Sequence, residues 1–388
     1  MLTPTRLRLL KDILSQPTAP FREQCVVRCV SGHLQRAGVP FFEDPAGNLV
    51  LGVDSPAAYV RLLRRRDDRP VRVFIAHMDH PGFHGLRWLD ARRLAVKWFG
   101  GSPVKHLSGA SVWVADEAGA SAPGRLARAT IVNQGWAIDR AEVHFDDDIA
   151  KLRRGDVKAL FGGFRFRAPH WTSGKRLYTR AADDLVGVFC IVSTAIDLFR
   201  RRSDDASFIG LLTRGEEVGF VGAVEHFEAG WLGAASRPVI CVSLEASRTL
   251  PGALIGKGPV VRLGDRRTTF DSGALRVLSE LAEKVLPQRH QRRVMDGGSC
   301  EATAATAWGL PTIGITLPLG NYHNQGLDGG MDCRRPAGPA PEFVHLDDID
   351  GELKLCRALM RPKLRWDDPW ENTRRRLSRN ACSFKKYL

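Results

Sequence analysis

Short apolar runs that end close to a histidine or a carboxylate recur along this chain, separated by segments of helical spacing. That alternation limits its fold more than any other feature. Val71-Arg72-Val73-Phe74-Ile75-Ala76 has the β-branched, apolar character of a strand buried on both faces, and it delivers His77 at its C-terminal end. Residues 208–213 likewise precede Glu216-Glu217, 239–242 precede Glu245, and 312–315 precede His323. Helix-period stretches lie between them at 186–200, 222–229 and 300–308. Two more open the chain, one with Leu7, Leu10, Ile13 and Leu14 on a single face and one over 23–37. Strands alternating with helices predict an α/β fold: a mostly parallel sheet with helices on both faces. In such sheets the ligand crevice opens beyond the carboxyl ends of the strands, where these polar residues fall.

The stretch 82–174 has a different pattern. Residues 93–99, 111–114, 125–131 and 141–145 are short, partly alternating runs divided by Gly, Pro and Asp, with little helical period. This predicts a small β domain inserted at 82–174 into an α/β domain made of 1–81 and 175–360, followed by a basic C-terminal tail at 361–388. A chain of 388 residues is long enough for that arrangement.

With 44% hydrophobic residues the chain can bury a large core, and no apolar run approaches the ~20 residues that span a bilayer. The opening segment is too interrupted for a secretory signal. A soluble cytoplasmic protein with no membrane partner is therefore expected. The eight cysteines form no CxxC pair and no dense framework, so they are expected as reduced thiols. Cys25 and Cys29, four apart, are expected to pack on a helix face. The formal net charge of +14 raises the question of nucleic acid, but +6 of it sits in 361–388. A second block, Arg61, Arg64, Arg65, Arg66 and Arg69, is expected on a loop before a strand. Neither block carries the aromatic interleaving of a nucleic-acid surface, and no nucleic-acid partner is expected.

Taken singly, each polar residue has an ordinary explanation: a core histidine at 77, a helix cap at Asp183-Asp184, solvated surface at Glu216-Glu217. Taken together, two histidines and three carboxylates near strand ends form the ligand set of a two-metal hydrolase. In this reading Asp183 bridges, His77 and Glu245 complete one metal, and Glu217 and His323 complete the other. Glu216 is free to accept a proton from the attacking water and return it to the leaving amine. Asp79, two residues past His77, is placed to accept the imidazole's second N–H. Two divalent ions per chain are expected, with Zn2+ as the default and Co2+ or Mn2+ also compatible with these donors.

Ala76-His77-Met78-Asp79, Ala182-Asp183-Asp184 with Val186-Gly187, Gly215-Glu216-Glu217-Val218-Gly219 with Gly222-Ala223, Gly256-Lys257-Gly258-Pro259 and His323 make the chain similar to the tetrahedral aminopeptidases. That family includes glutamyl aminopeptidases and proteins once called cellulase M, within the clan of dinuclear zinc exopeptidases. Asp44-Pro45-Ala46-Gly47-Asn48-Leu49 and Gly155-Asp156 are weaker matches. The resemblance implies an inserted domain of PDZ-like topology serving as lid or dimerisation unit, removal of N-terminal residues from peptides, and a hollow homo-oligomer. The chain departs from the family pattern in having Glu245 where Asp is usual, Leu185 after the Asp pair, Gly298-Ser299-Cys300-Glu301 before the last strand, Gly320-Asn321-Tyr322 before His323, and the basic tail. Two other functions share the metal site or the fold: a carboxypeptidase or deacylase of the same clan, and a non-catalytic scaffold.

Overall fold

The computed structural model describes residues 2–146, 149–200, 207–295, 298–326 and 338–388. At its centre the strand Val71–His77 is buried along its whole length. Because successive side chains point to opposite faces, Val73 and Ile75 enter one apolar layer while Phe74 and Ala76 enter the other. Both parities must therefore be apolar, which is why the run shows no alternation. Phe208–Thr213 and Val239–Arg248 flank this strand in parallel, and Thr312–Leu319 pairs in parallel with Val239–Arg248.

The edges break the parallel pattern, so the eight-stranded sheet is mixed. Leu49–Leu51 joins Phe208–Thr213 antiparallel and folds back on Phe41–Glu43. Five residues, Asp44 to Asn48, separate these two strands, and so short a connection permits only an antiparallel pair. At the other edge Val260–Asp265 runs antiparallel to Thr312–Leu319 and carries Gln291–Met295 in parallel.

One face of the sheet is covered by the helices Pro4–Leu14, Gln24–Ala37, Leu185–Arg200, Ser272–Val285 and Leu346–Leu359. The other is covered by Pro56–Arg64, Val221–Glu228 and Glu301–Ala307. Local signals set several of the helix starts: Ser55 accepts from the Ala58 N–H (3.3 Å) ahead of Pro56, and Asp271 accepts from the Ala274 N–H (2.7 Å). That first cap corrects the reading of the basic block, because Arg61 and Arg64 lie on the Pro56–Arg64 helix and only Arg65, Arg66 and Arg69 follow it.

Residues 82–164 supply a closed barrel of six antiparallel strands: Gly82–Trp88, Arg93–Phe99, Ser111–Ala115, Ser121–Ile131, Ile138–His144 and Phe161–Phe164. It has its own core, including Phe83, Leu94, Val96, Trp98, Val112 and Leu126. The first and last strands close the seam, and their sequence signal is weak because they carry glycines where backbones approach. A Cβ on Gly162 would lie 2.1 Å from the Trp113 carbonyl oxygen.

A three-stranded antiparallel sheet, His170–Ser173, Arg176–Thr179 and Glu342–His345, places Glu342 opposite Thr179. Within the basic tail, Glu371–Phe384 forms a helix. The seven cysteines among the described residues are free thiols, and Cys333 lies outside them. Among the described residues no helix is long and apolar enough to cross a membrane.

Candidate metal centre

The sheet register sets Thr213 beside His77 and Glu245 beside Thr316. Glu216 and Glu217 begin just beyond Phe208–Thr213, in a short turn entered through Gly215 at φ 61°. Glu245 does not follow its strand, as the sequence suggested, but lies within Val239–Arg248 near the C-terminal end. Asp183 and Asp184, joined by a cis peptide, immediately precede the Leu185–Arg200 helix. His323 follows Thr312–Leu319. Residues separated by up to 246 positions thereby meet.

The contacts are close. His77 Nε2 lies 3.4 Å from Asp183 Oδ1 and 3.9 Å from Glu216 Oε2, while His323 Nε2 lies 3.1 Å from Glu217 Oε2 and 3.8 Å from Asp183 Oδ2. One donor atom each from His77, Asp183 and Glu217 falls within a mutual 4.8 Å, and so does one each from His77, Glu216 and Glu245. Asp183 thus stands between the two imidazoles.

Asp79 acts differently from the sequence reading. Its carboxylate is 3.6 Å from His77 Nδ1, beyond hydrogen-bond length, and the imidazole nitrogen meets the Asp79 backbone oxygen at 3.1 Å instead. The carboxylate accepts the backbone N–H groups of Glu216 (3.0 Å) and Glu217 (3.2 Å), clamping the turn that carries both glutamates.

Other buried groups brace the same elements, and no spacing rule pointed to them. Glu342 accepts from the backbone N–H of Ala182 (2.6 Å) and of Asp183 (3.1 Å) with one oxygen, and from the N–H of His323 (2.9 Å) with the other. One carboxylate therefore holds two distant site segments in register. Glu23 accepts from the Gly215 N–H (3.1 Å) and from Arg214 Nε (2.6 Å). Asn48 accepts from the Arg214 N–H (3.1 Å) and donates to the Gly222 carbonyl (2.9 Å), tying both ends of the glutamate turn to the Asp44–Asn48 hairpin. Glu301, noticed in the sequence only as a departure from the family pattern, is fully buried and accepts a hydrogen bond from the Thr213 hydroxyl. Gly101 of the barrel abuts His323, where a Cβ would lie 2.2 Å from Nδ1.

The electrostatics are those of a cluster built for positive charge. Burial pushes the carboxyls of Glu216 and Glu245 well above the ordinary range; the charge of Glu245 raises Glu216 further, and that of Asp183 raises Glu245. For His77 burial works against the imidazolium, yet the carboxylates of Glu216, Asp183 and Asp79 outweigh it and raise the ring well above its usual value. Asp183 Oδ1, Glu217 Oε1 and Glu245 Oε1 are buried with no hydrogen-bond partner. Such oxygens are costly unless something else satisfies them, and divalent cations fit the gap between these donors.

The cluster floors an open cavity of about 460 Å3. Arg248 and Arg262 line one side of it, and Trp136, from the turn linking two barrel strands, lines another. Arg262 is 2% exposed and donates to Ser247 (3.3 Å) and Thr316 (3.4 Å).

Comparison with known proteins points the same way. The family model described as M42 glutamyl aminopeptidase matches residues 58–327. Among solved structures, the TET1 peptidase of Pyrococcus horikoshii is similar at 20% identity with a TM-score of 0.68, covering 92% of this chain and 99% of its own. An aminopeptidase from the archaeon Desulfurococcus kamchatkensis is 19% identical with a TM-score of 0.72, covering 93% and 96%. A TET aminopeptidase from a marine sediment archaeon of the Thaumarchaeota is 17% identical with a TM-score of 0.72, covering 92% and 97%. No curated protein sequence matches the chain.

Proposed function

Because this chain belongs to the M42 glutamyl aminopeptidase family and is a metal-dependent aminopeptidase, we propose that it works with two divalent ions held by His77, Asp183, Glu217, Glu245 and His323. The observation that carries this reading is the set of orphaned oxygens on Asp183, Glu217 and Glu245, flanked by two imidazoles. Asp183 would be shared between the ions, with His77 and Glu245 holding one and Glu217 and His323 the other. Zinc is the default, and cobalt or manganese suits the same donors. When bound, such ions acidify water and polarise a peptide carbonyl.

The chain's own residues supply the rest. Glu216 takes a proton from the attacking water and delivers it to the leaving amine, a role suited to its place beside His77 and Glu245 at the floor of the cavity. Asp79 is a positioning residue that holds the Glu216–Glu217 backbone, and Glu342 does the same for Asp183 and His323. Arg248 and Arg262 favour an acidic side chain in the cavity.

We further propose the division into an α/β catalytic domain (1–81 and 175–360) and an inserted domain (82–174). The barrel in the insert takes the lid or assembly part that the family resemblance implies for a PDZ-like insert, a reading supported by the reach of Gly101 and Trp136 to the site. The Pyrococcus horikoshii peptidase assembles into a tetrahedron or a large octahedral shell, and a homo-oligomer is proposed here as well. Free thiols throughout the described chain suit a reducing cytoplasm.

The experiment is an assay of aminoacyl chromogenic substrates with free and with acetylated amino termini, after reconstitution with zinc, cobalt or manganese. Free amino termini should be cleaved and blocked ones spared, glutamyl substrates should lose rate as salt rises, and Glu216→Gln should lower kcat by about 10²–10⁴-fold with the metal retained. Chromogen release from acetylated substrates at the rate of the free ones would rule out an aminopeptidase, release of acetate with the chromogenic bond intact would mean a deacylase, and full activity in Glu216→Gln would remove its role.

A further inference from the structure

The last helix has a surface the proposed enzyme does not use. From Arg374 to Leu388 every residue is exposed, and no side chain of Glu371–Phe384 is buried. Among the described residues, five of the eleven exposed large apolar side chains fall in this terminal stretch: Trp370, Leu377, Phe384, Tyr387 and Leu388. At 100° per residue Trp370, Leu377, Ala381 and Phe384 form one stripe, while Arg375, Arg379 and Lys386 share the opposite side. Leu377 is 55% exposed and Phe384 64%, so the stripe faces water rather than the core.

The charge of the stretch is mostly of one sign, and Arg374 and Lys385 flank the apolar stripe where long side chains can reach past it to headgroups. Residues 371–388 carry six Lys or Arg and one acid, Glu371. Arg374 is ion-paired with Asp368 and Arg375 with Glu371. Arg376, Arg379, Lys385 and Lys386 have no acidic partner among the described residues, and Lys386 lies only over the Tyr387 ring.

We propose that this helix is a docking element for an anionic lipid surface, lying in the headgroup plane with the Trp370–Leu377–Phe384 stripe inserted. Its chemistry is that of an interfacial helix: cations for phosphate and carboxylate headgroups, aromatic and aliphatic side chains for the acyl boundary. Its 14 residues extend about 21 Å, too short for the ~30 Å hydrocarbon core, so it rests on the bilayer and does not cross it. The absence of a spanning segment, which removed a membrane from the partners expected of the sequence, leaves this mode open. A nucleic acid would leave the apolar stripe without a role, and the same helix of a second copy would set like charges together. The site chemistry above is independent of this element.

The test is sedimentation of the full-length protein with phosphatidylcholine vesicles, with and without phosphatidylserine. Binding is expected only with phosphatidylserine, and it should weaken as salt rises. Each cation near such a surface adds roughly a fivefold factor in partition, so replacing Arg376, Arg379, Lys385 and Lys386 together by Gln should weaken binding at least about a hundredfold. Leu377→Ser with Phe384→Ser should weaken it by more than about tenfold. Both variants should keep the aminopeptidase rate measured without vesicles, since the helix does not line the active-site cavity. Equal binding to both vesicle types, no binding to either, tighter binding to duplex DNA than to vesicles, or collapse of the oligomer in either variant overturns the proposal.

Discussion

Two buried polar clusters in this molecule are made of the same residue types and are built on opposite terms. In the first, Asp44 accepts the N–H groups of Ala46 (3.0 Å) and Asn48 (2.9 Å) and the Asn48 amide (2.7 Å), and it faces His226 Nδ1 at 2.8 Å, whose other nitrogen meets the Tyr59 hydroxyl at 3.3 Å. Burial raises this carboxyl, but the hydrogen bonds from His226 and Asn48 win and hold it below its ordinary value. In the second, Asp183, Glu216, Glu217 and Glu245 crowd together around two imidazoles, and three of the four carboxylates keep an oxygen with no partner. The first cluster completes itself within the protein, and the second is complete only with cations from outside. That difference is why the second cluster is the one proposed above as the metal site.

The largest test of this difference is Asp183→Asn. Activity should fall by at least about 10³-fold, and the thermal stabilisation gained on adding zinc should vanish. The metal-free protein, relieved of one charge in a repulsive group, should melt at the same temperature as wild type or higher, as measured by differential scanning calorimetry with and without chelator. A metal-free variant that is several kcal/mol less stable than wild type would put Asp183 with the self-satisfied kind.

Asp44→Ala should show the reverse pattern. It strands His226, the Asn48 side chain and two backbone N–H groups in the interior, at a cost of about 3–5 kcal/mol in denaturant unfolding, with or without metal. Because Asn48 grips both ends of the turn carrying Glu216 and Glu217, activity should fall only as far as that turn loosens, far less than for Asp183→Asn.

These clusters also explain how much the sequence could reveal. Strands such as Val71–His77 declare themselves because burial on both faces demands an unbroken apolar run, and a chemical residue at the end of such a run is conspicuous. Thus His77, Glu216, Glu217 and His323 could be picked out together. Glu342 and Glu23 could not, because they hold the backbone N–H groups of Ala182, Asp183 and Gly215, more than 150 positions away, and no local spacing records that. The partners of the Asp79 carboxylate are hidden from the sequence for a related reason. Proximity to His77 in sequence suggested the imidazole, whereas the fold offered its carboxylate two better-placed N–H donors. Barrel closure was illegible because Gly82–Trp88 and Phe161–Phe164 owe their pairing to close backbone approach, with few apolar side chains to announce it.

Glu352 lies between the two extremes. Fully buried on the Leu346–Leu359 helix, it accepts from the Cys190 thiol (3.5 Å) with one oxygen and leaves the other unpartnered. Burial raises its carboxyl from 4.5 to about 8, with the thiol contact opposing. A folded-state value above the unfolded one means the native protein retains the proton while the unfolded chain has lost it, so this group's contribution to stability falls as pH climbs from about 4.5 to about 8 and is level beyond. Glu352→Gln cannot ionise and should escape that loss. Its stability relative to wild type should be unchanged at acid pH, then rise by several kcal/mol, up to roughly 4–5, across that interval in urea titrations. A difference independent of pH would show that the carboxyl ionises as readily inside as outside, and would move Glu352 to the side of Asp44, among the buried acids the protein satisfies by itself.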